Sequence, residues 1–235
     1  MDDEPDRTKS SLNVPRHVAM IMDGNRRWAR RRSLQPWEGH AVGFDKVIEV
    51  ASWVEHLGVE ELTLWMLSTD NLKRSTEEIA ALVPIICRAI DKLVDTNRFT
   101  IRHVGNRDVL PEPLHSAVLQ LPHAGIGRTT VNLAIGYGGL DEIERGVRQY
   151  LREHGDTATA LEHLNVAAIE AAMGFRPSTP DLIIRTSGER RLSGFFLWNS
   201  GGSRFHVVER HWPDFTFDDL FSALMQPQAT SIAKR

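Results

Sequence analysis

The chain has 235 residues, 41% hydrophobic and 25% charged, with a formal net charge of −3, which is enough for one domain with a substantial core. Ordinary glycine and proline usage excludes collagen-like and low-complexity classes, no apolar run approaches the roughly 20 residues of a membrane helix, and the opening MDDEPDRTKSSLN has no signal-peptide core. The single Cys87 excludes an intrachain disulfide framework and a multi-cysteine zinc site, and points to a reducing, cytoplasmic setting.

Residues 1–15 are polar and predict a frayed terminus, followed by a single domain over 16–226 and a tail over 227–235. Residues 17–23 (HVAMIMD) form an apolar run ending on Asp23, the pattern of a buried strand. Residues 41–57 carry helical periodicity, and 62–68 (LTLWMLS) read as a second buried strand. Residues 76–97 predict a long helix opened by Thr76-Glu77-Glu78, with Pro84 predicting a kink or an early break. Residues 99–105 and 129–137 predict strands, and 139–153 and 165–173 predict helices. Residues 181–187 (DLIIRTS), 195–200 and 205–209 read as further strands, and 217–225 as a closing helix. Strands alternating with helices predict a mostly parallel sheet covered on both faces. Ligands of such sheets sit outside the carboxyl ends of the strands.

That rule selects three loops, in a chain with 23 arginines and only 5 lysines. Arginine presents a rigid fork that binds phosphate bidentately. In Asp23-Gly24-Asn25-Arg26-Arg27-Trp28, a glycine lets the backbone approach an anion and a helix start supplies free N–H donors. Asp23, out of place in an anion-attracting loop, suits a carboxylate that holds Mg²⁺ against a phosphate. The same residues would also make a basic surface turn or a nucleic-acid patch. Ser68-Thr69-Asp70-Asn71-Leu72-Lys73-Arg74 gathers hydroxyls, an amide and two cations, and equally suits a plain loop leading to the Thr76 helix. Arg185-Thr186-Ser187-Gly188-Glu189-Arg190-Arg191-Leu192-Ser193 reads as a second anion site, or as a salt-bridged surface loop around Glu189. Together they suggest two phosphorylated substrates and one metal. Neither G-x-x-x-x-G-K-[ST] nor a G-x-G-x-x-G after a strand is present, which argues against a nucleotide. Met20, Met22, Met66, Leu67, Leu82, Ile85 and Ile86 would line an apolar channel, or simply pack as core.

The segments HVAMIMDGNRRWA, Gly39-His40, LWMLSTDNLKR, GYGG at 136–139, DLIIRTSGERRLSGFFLW and HWPDF follow one another from about residue 17 to 215. In these motifs and their order the chain resembles the cis-prenyltransferases, the Z-type isoprenyl diphosphate synthases that include undecaprenyl diphosphate synthase. The unrelated trans-type synthases are all-helical with paired aspartate-rich motifs, for which Asp218-Asp219 lacks a second half. The resemblance implies an α/β fold: a parallel six-stranded sheet wrapped by helices, with a hydrophobic tunnel. It also implies a homodimer acting on isoprenoid diphosphates, without nucleic acid and without stable membrane insertion. Asp23 would assist departure of the allylic diphosphate with Mg²⁺. Gly24, Asn25, Arg26, Arg27 and Trp28, with His40, would hold that diphosphate. Asn71 would help remove the proton after coupling, beside Ser68, Thr69, Asp70, Leu72 and Arg74. Arg185, Arg191, Leu192 and Ser193 would bind the second diphosphate.

The chain also departs from that pattern. The usual DGNGRW reads DGNRRW, with Arg26 for a glycine, and the arginine expected four residues before His40 is Pro36. The family's metal-binding glutamate, eight residues before Trp212, is replaced by Arg204, and the R-x-G-like tail has no match. The replacement implies either direct phosphate binding by Arg204, with less dependence on magnesium, or a site for another acceptor. Met66, five residues before Asn71, stands where long-chain members carry a small residue. Its bulk should stop the product at about ten to fifteen carbons. An altered second site suggests head-to-middle, lavandulyl-type coupling; regular head-to-tail addition of isopentenyl diphosphate is the alternative. The family's non-catalytic partner subunits typically lose the aspartate of the first loop, which this chain keeps as Asp23. A nucleic-acid function would rest on the arginines at 30–32 alone, against a net charge of −3.

Overall fold

The computed structural model describes residues 14–121, 127–155 and 158–226. The terminus expected to fray, up to residue 13, and the tail from 227 lie outside the described residues.

Six strands, β1 (His17–Ile21), β2 (Glu61–Ser68), β3 (Thr100–Val104), β4 (Thr130–Tyr137), β5 (Leu182–Thr186) and β6 (Arg204–Val208), form one sheet in the order β3-β4-β2-β1-β5-β6. Every neighbouring pair is parallel. Along β1, Val18 and Met20 join one apolar cluster and Ala19 and Ile21 the other, the period-2 alternation of a strand buried on both faces.

The larger cluster packs against α2 (Pro36–His56), α3 (Thr76–Asp95), α4 (Leu114–Leu119) and α8 (Phe217–Met225). Phe44, Val47, Val50, Ala51 and Val54 make the apolar stripe of α2, at the spacing that keeps one helical face inward. This helix begins earlier than its periodicity predicts. Gln35 and Glu38 form a capping box and Pro36 takes the first position, so local chemistry adds a turn to the periodic part. Helix α3 starts where expected, with the Ser75 hydroxyl accepting from the Glu78 amide at 3.3 Å. It runs through Pro84 without ending. Leu82, Val83, Ile85 and Ile86 are buried on both sides of that proline, and their packing outweighs one missing backbone bond.

On the opposite face lie α5 (Gly139–His154) and α7 (Val166–Ala172), with the short α6 (Ala158–His163) between them in sequence. Residues 195–200 are turns, not the strand their apolar pattern predicts. Phe195 and Phe196 enter the second cluster as loop residues, because their rings pack with Tyr137 and with each other at centroid distances of 4.7–6.1 Å. Apolar content marked burial there, and the ladder bonds are absent.

Candidate active site

The two sequence-selected loops after β1 and β5 meet at the carboxyl end of the sheet. Met20 pairs with Ile184 and Ile21 with Arg185 in register, so Asp23 and Arg185 emerge side by side. Arg185 Nη2 donates to Asp23 Oδ2 at 3.0 Å, and Arg27, one turn along α1 (Asn25–Arg30), donates to the same oxygen at 3.2 Å. Thr186 ties the loops from below: its hydroxyl donates to the Asp23 carbonyl at 2.7 Å, and the Asp23 amide donates back to it at 2.9 Å. Arg27 also reaches Glu189 at 3.4 Å, Glu189 pairs with Arg191, and Arg185 Nη1 donates to the Arg191 carbonyl and to Ser193 Oγ. The result is a chain of ion pairs, Arg185–Asp23–Arg27–Glu189–Arg191, closed into a ring by the bond from Arg185 to the Arg191 carbonyl.

Gly24 makes the turn into α1 with φ +108°, and a Cβ there would lie 2.7 Å from His211 Cδ2. A side chain would be strained by conformation and by contact alike. Gly43 on α2 lets Asn25 approach, since a Cβ would come within 2.1 Å of Asn25 Oδ1.

Around this ring opens a cleft of about 550 Å³. Its polar part holds Asp23, Gly24, Asn25, Arg26, Arg27, Arg30, His40, Ser68, Asp70, Asn71, Arg74, Arg185, Glu189, Arg191 and Ser193; its apolar part holds Ile21, Met22, Phe44, Trp65, Met66 and Trp212. The loop after β2 is shaped locally: the Asn71 amide donates to Ser68 Oγ at 2.9 Å, and the Asn71 side-chain oxygen accepts from the Ser68 amide at 3.4 Å. At the mouth, Arg26 pairs with Glu78 of α3 at 3.4 Å.

The electrostatics favour an anion. Burial, then repulsion from Arg26, lowers the Arg74 guanidinium from its ordinary value. Burial, with Arg74 and Arg26 adding to it, pushes His40 down to about 4, so its imidazole is neutral near pH 7. Three buried polar atoms of the cleft residues, Asn25 Oδ1, His40 Nδ1 and Arg185 Nε, have no hydrogen-bond partner among the described residues. Buried polar groups in that condition are open to a bond from a ligand or an ordered water.

Several sequence-selected residues stand behind the cleft instead of lining it. Trp28 is buried and donates its indole N–H to Asp214 at 2.7 Å. Thr69 packs under Gly138, and Leu72 and Leu192 lie against the two apolar clusters. Of the methionine and aliphatic stripe, Met22 and Met66 reach the cleft; Met20, Leu67, Leu82, Ile85 and Ile86 are core. Arg204 is not positioned to bind phosphate in this chain. Its register partner is Leu182, at the amino end of β5, and its guanidinium donates to the Gln226 carbonyl. The residues that sequence reasoning passed over are Trp65, Phe44, Arg30 and Trp212. Trp65, Phe44 and Arg30 stand on β2, α2 and α1, and Trp212 in the turn after β6; the local pattern of those segments does not separate a cleft-lining side chain from its neighbours.

Among the described residues, no group of three or more His, Cys, Asp or Glu side chains gathers as a ready cation site. The donor set nevertheless fits a magnesium ion that arrives with its diphosphate. Such an ion keeps several waters and takes one or two carboxylates beside the phosphate oxygens, and the Asp23 carboxylate lines the cleft together with its arginines.

Comparison with known proteins agrees with this geometry. Residues 21–232 match the family model described as putative undecaprenyl diphosphate synthase. A short-chain Z-isoprenyl diphosphate synthase of Mycobacterium leprae is 40% identical over 92% of this chain and 86% of its own. A (2Z,6E)-farnesyl diphosphate synthase of Thermobifida fusca is 41% identical over 93% of this chain and 89% of its own. The crystal structure of lavandulyl diphosphate synthase from Lavandula x intermedia, in complex with dimethylallyl diphosphate, superimposes with a TM-score of 0.79 at 34% identity, covering 90% of this chain and 94% of that one. With this sheet order, these loops and these relatives, the chain belongs to the undecaprenyl diphosphate synthase family, the cis-prenyltransferases, and is a prenyltransferase.

Proposed function

We propose that the protein is a short-chain prenyl diphosphate synthase that joins five-carbon isoprenoid diphosphates into a product of about ten to fifteen carbons, limited by the bulk of Met66. The observation that carries this reading is the convergence of the Asp23 and Arg185 loops on one cleft, with the two side chains 3.0 Å apart. A single anion site would need one such loop, and coupling two diphosphates needs both.

The donor diphosphate lies against the α1 loop and His40, where Arg26, Arg27 and Arg74 take up charge as the allylic C–O bond breaks. Neutral His40 presents an N–H to that anion. When bound, magnesium would supply further charge neutralisation on the leaving group, with Asp23 as its protein ligand. The acceptor diphosphate lies against Arg185, Arg191 and Ser193. Asn71, with Ser68, faces the five-carbon group from which a proton leaves after coupling. Ile21, Met22, Phe44, Trp65 and Met66 keep water from the cationic carbon.

For the linkage we favour head-to-middle coupling of two dimethylallyl groups, supported by the likeness to a lavandulyl diphosphate synthase bound to dimethylallyl diphosphate. Regular head-to-tail addition of isopentenyl diphosphate is the second reading, favoured by the farnesyl-type names of the relatives. The protein acts as a homodimer in the cytoplasm, and no helix of the described residues is long and apolar enough to cross a membrane. Incubation with dimethylallyl diphosphate alone, followed by mass spectrometry and NMR of the products, decides the linkage. A branched ten-carbon product is expected; a product formed only when isopentenyl diphosphate is added would establish the regular reaction.

A further inference from the structure

Trp65 and Met66 are adjacent in β2, and in a regular strand they would point to opposite faces. Both line the cleft, which straddles the end of the sheet, where the pairing of β2 with β4 slips between Trp65 and Leu67. Such bulges re-aim side chains beside active sites. The Trp65 ring is fixed from behind. It stacks on Phe195 with centroids 4.8 Å apart and planes within 8°, and meets the Tyr137 ring edge-on at 6.4 Å. Its indole N–H donates to the Tyr137 carbonyl at 3.2 Å. The other aromatic rings of the cleft are more hidden, with Phe44 only 5% and Trp212 only 1% exposed, whereas Trp65 keeps part of its surface open. Trp65 pairs in register with Ile21, which in turn pairs with Arg185, and Ser68, Asn71 and Ser193 line the same cleft.

We propose that Trp65 determines which acceptor carbon reacts, by holding the acceptor's five-carbon group against its indole face while that group carries positive charge. The inference rests on the prenyl-coupling reading above and adds a residue to it. In the coupling, the donor's C1–O bond breaks and its electron pair leaves with the diphosphate. The acceptor double bond supplies the pair that forms the new C–C bond, leaving a tertiary cation on the acceptor. Loss of a proton from a neighbouring carbon then restores a double bond. Arg26, Arg27, Arg30, Arg74, Arg185 and Arg191 all line this cleft, so a carbon cation there is surrounded by like charges that the diphosphates offset. An indole face attracts a cation through its quadrupole and, unlike a carboxylate or water, does not capture it as a nucleophile. Trp65 lies on the strand that leads into the Asn71 loop, two strands in register from Arg185, the residue assigned above to the acceptor diphosphate.

The test compares W65F and W65L with the wild type, using dimethylallyl diphosphate with and without isopentenyl diphosphate. The readouts are the ratio of coupled product to uncoupled prenyl alcohol, kcat, KM and melting temperature. For W65L the expected result is a loss of kcat of about tenfold or more with KM within about threefold, and a shift toward uncoupled alcohol or a different linkage. W65F, which keeps a ring against Phe195, should retain most of the activity. Because leucine leaves a gap beside Phe195 and so costs stability, a second arm uses fluorinated tryptophans, which keep the shape and weaken the quadrupole. Fluorination should lower coupling progressively in the wild type and leave a W65F background unchanged. An unaltered product ratio in W65L, or fluorination acting equally in both backgrounds, overturns the proposal. A wild type that couples nothing from either substrate set overturns the functional reading itself.

Discussion

Arg185 and Asp23 share a 3.0 Å ion pair across neighbouring parallel strands, with the Arg185 side chain only 6% exposed. A buried guanidinium of this kind is costly without an anion. Asp23 supplies one. D23N should therefore leave Arg185 buried and unpaired, lowering stability by roughly 3 kcal/mol. Pyrophosphate would return the missing anion. The expected outcome in a thermal-shift assay is a larger stabilisation by pyrophosphate in D23N than in the wild type. An equal shift in both would show that Arg185 does not meet the ligand. R185A, which removes a preorganised donor, should cost roughly 10²–10³-fold in kcat.

His40 provides a pH signature. Its folded value of about 4 lies below the ordinary value of 6.5, so the unfolded chain takes up the proton first as pH falls. The stabilisation tied to neutral His40 is thus complete above about pH 6.5 and lost progressively toward pH 4. His17, His103 and His211 are also lowered, chiefly by burial, and act in the same direction. Denaturant unfolding at pH 7.5 and pH 5 should show wild-type stability dropping at the lower pH. H40Q should show a smaller drop, and an identical drop in H40Q would remove His40 from this role.

Met66 is 5% exposed and lines the cleft with the apolar Ile21, Met22, Phe44, Trp65 and Trp212. M66A should admit longer chains, with products beyond fifteen carbons appearing when isopentenyl diphosphate is supplied in excess. Truncating a buried methionine costs about 2–5 kcal/mol, so product length, not rate, is the proper readout. Chromatography with mass detection showing an unchanged product set in a folded M66A would place the length limit elsewhere.

Gly24 tests the first loop without touching a charge. A Cβ there is strained by a φ of +108° and by its approach to His211 and Ser187. G24A should weaken binding of a non-reactive dimethylallyl thiolo-diphosphate by about tenfold or more, because α1 and its arginines must shift. Titration calorimetry measures this directly, and wild-type affinity in G24A would mean the loop tolerates a side chain.

The strands were legible in the sequence because each carries its own pattern: HVAMI and LIIRT are mostly apolar runs, and every one of their positions is buried, as in central parallel strands. The loops that line the cleft were legible because glycine, asparagine, hydroxyls and arginine cluster directly after those strands. The 195–200 segment was misread because apolar content marks burial and not ladder pairing. The early start of α2 was hidden because capping by Gln35 and Glu38 is a contact between side chain and backbone, outside the apolar period.

Local chemistry along the chain thus carried most strand and helix identities and the clustering of glycine, hydroxyls and arginine in three loops, since each depends on neighbours within a few residues. Tertiary structure alone decided that Asp23 and Arg185, separated by 162 positions, share one ion pair. It decided likewise that Arg204 lies at the far end of its strand and that Trp65 opens into the cleft. Those outcomes depend on strand order and register, which arise when distant segments pack together and which no short stretch of sequence contains.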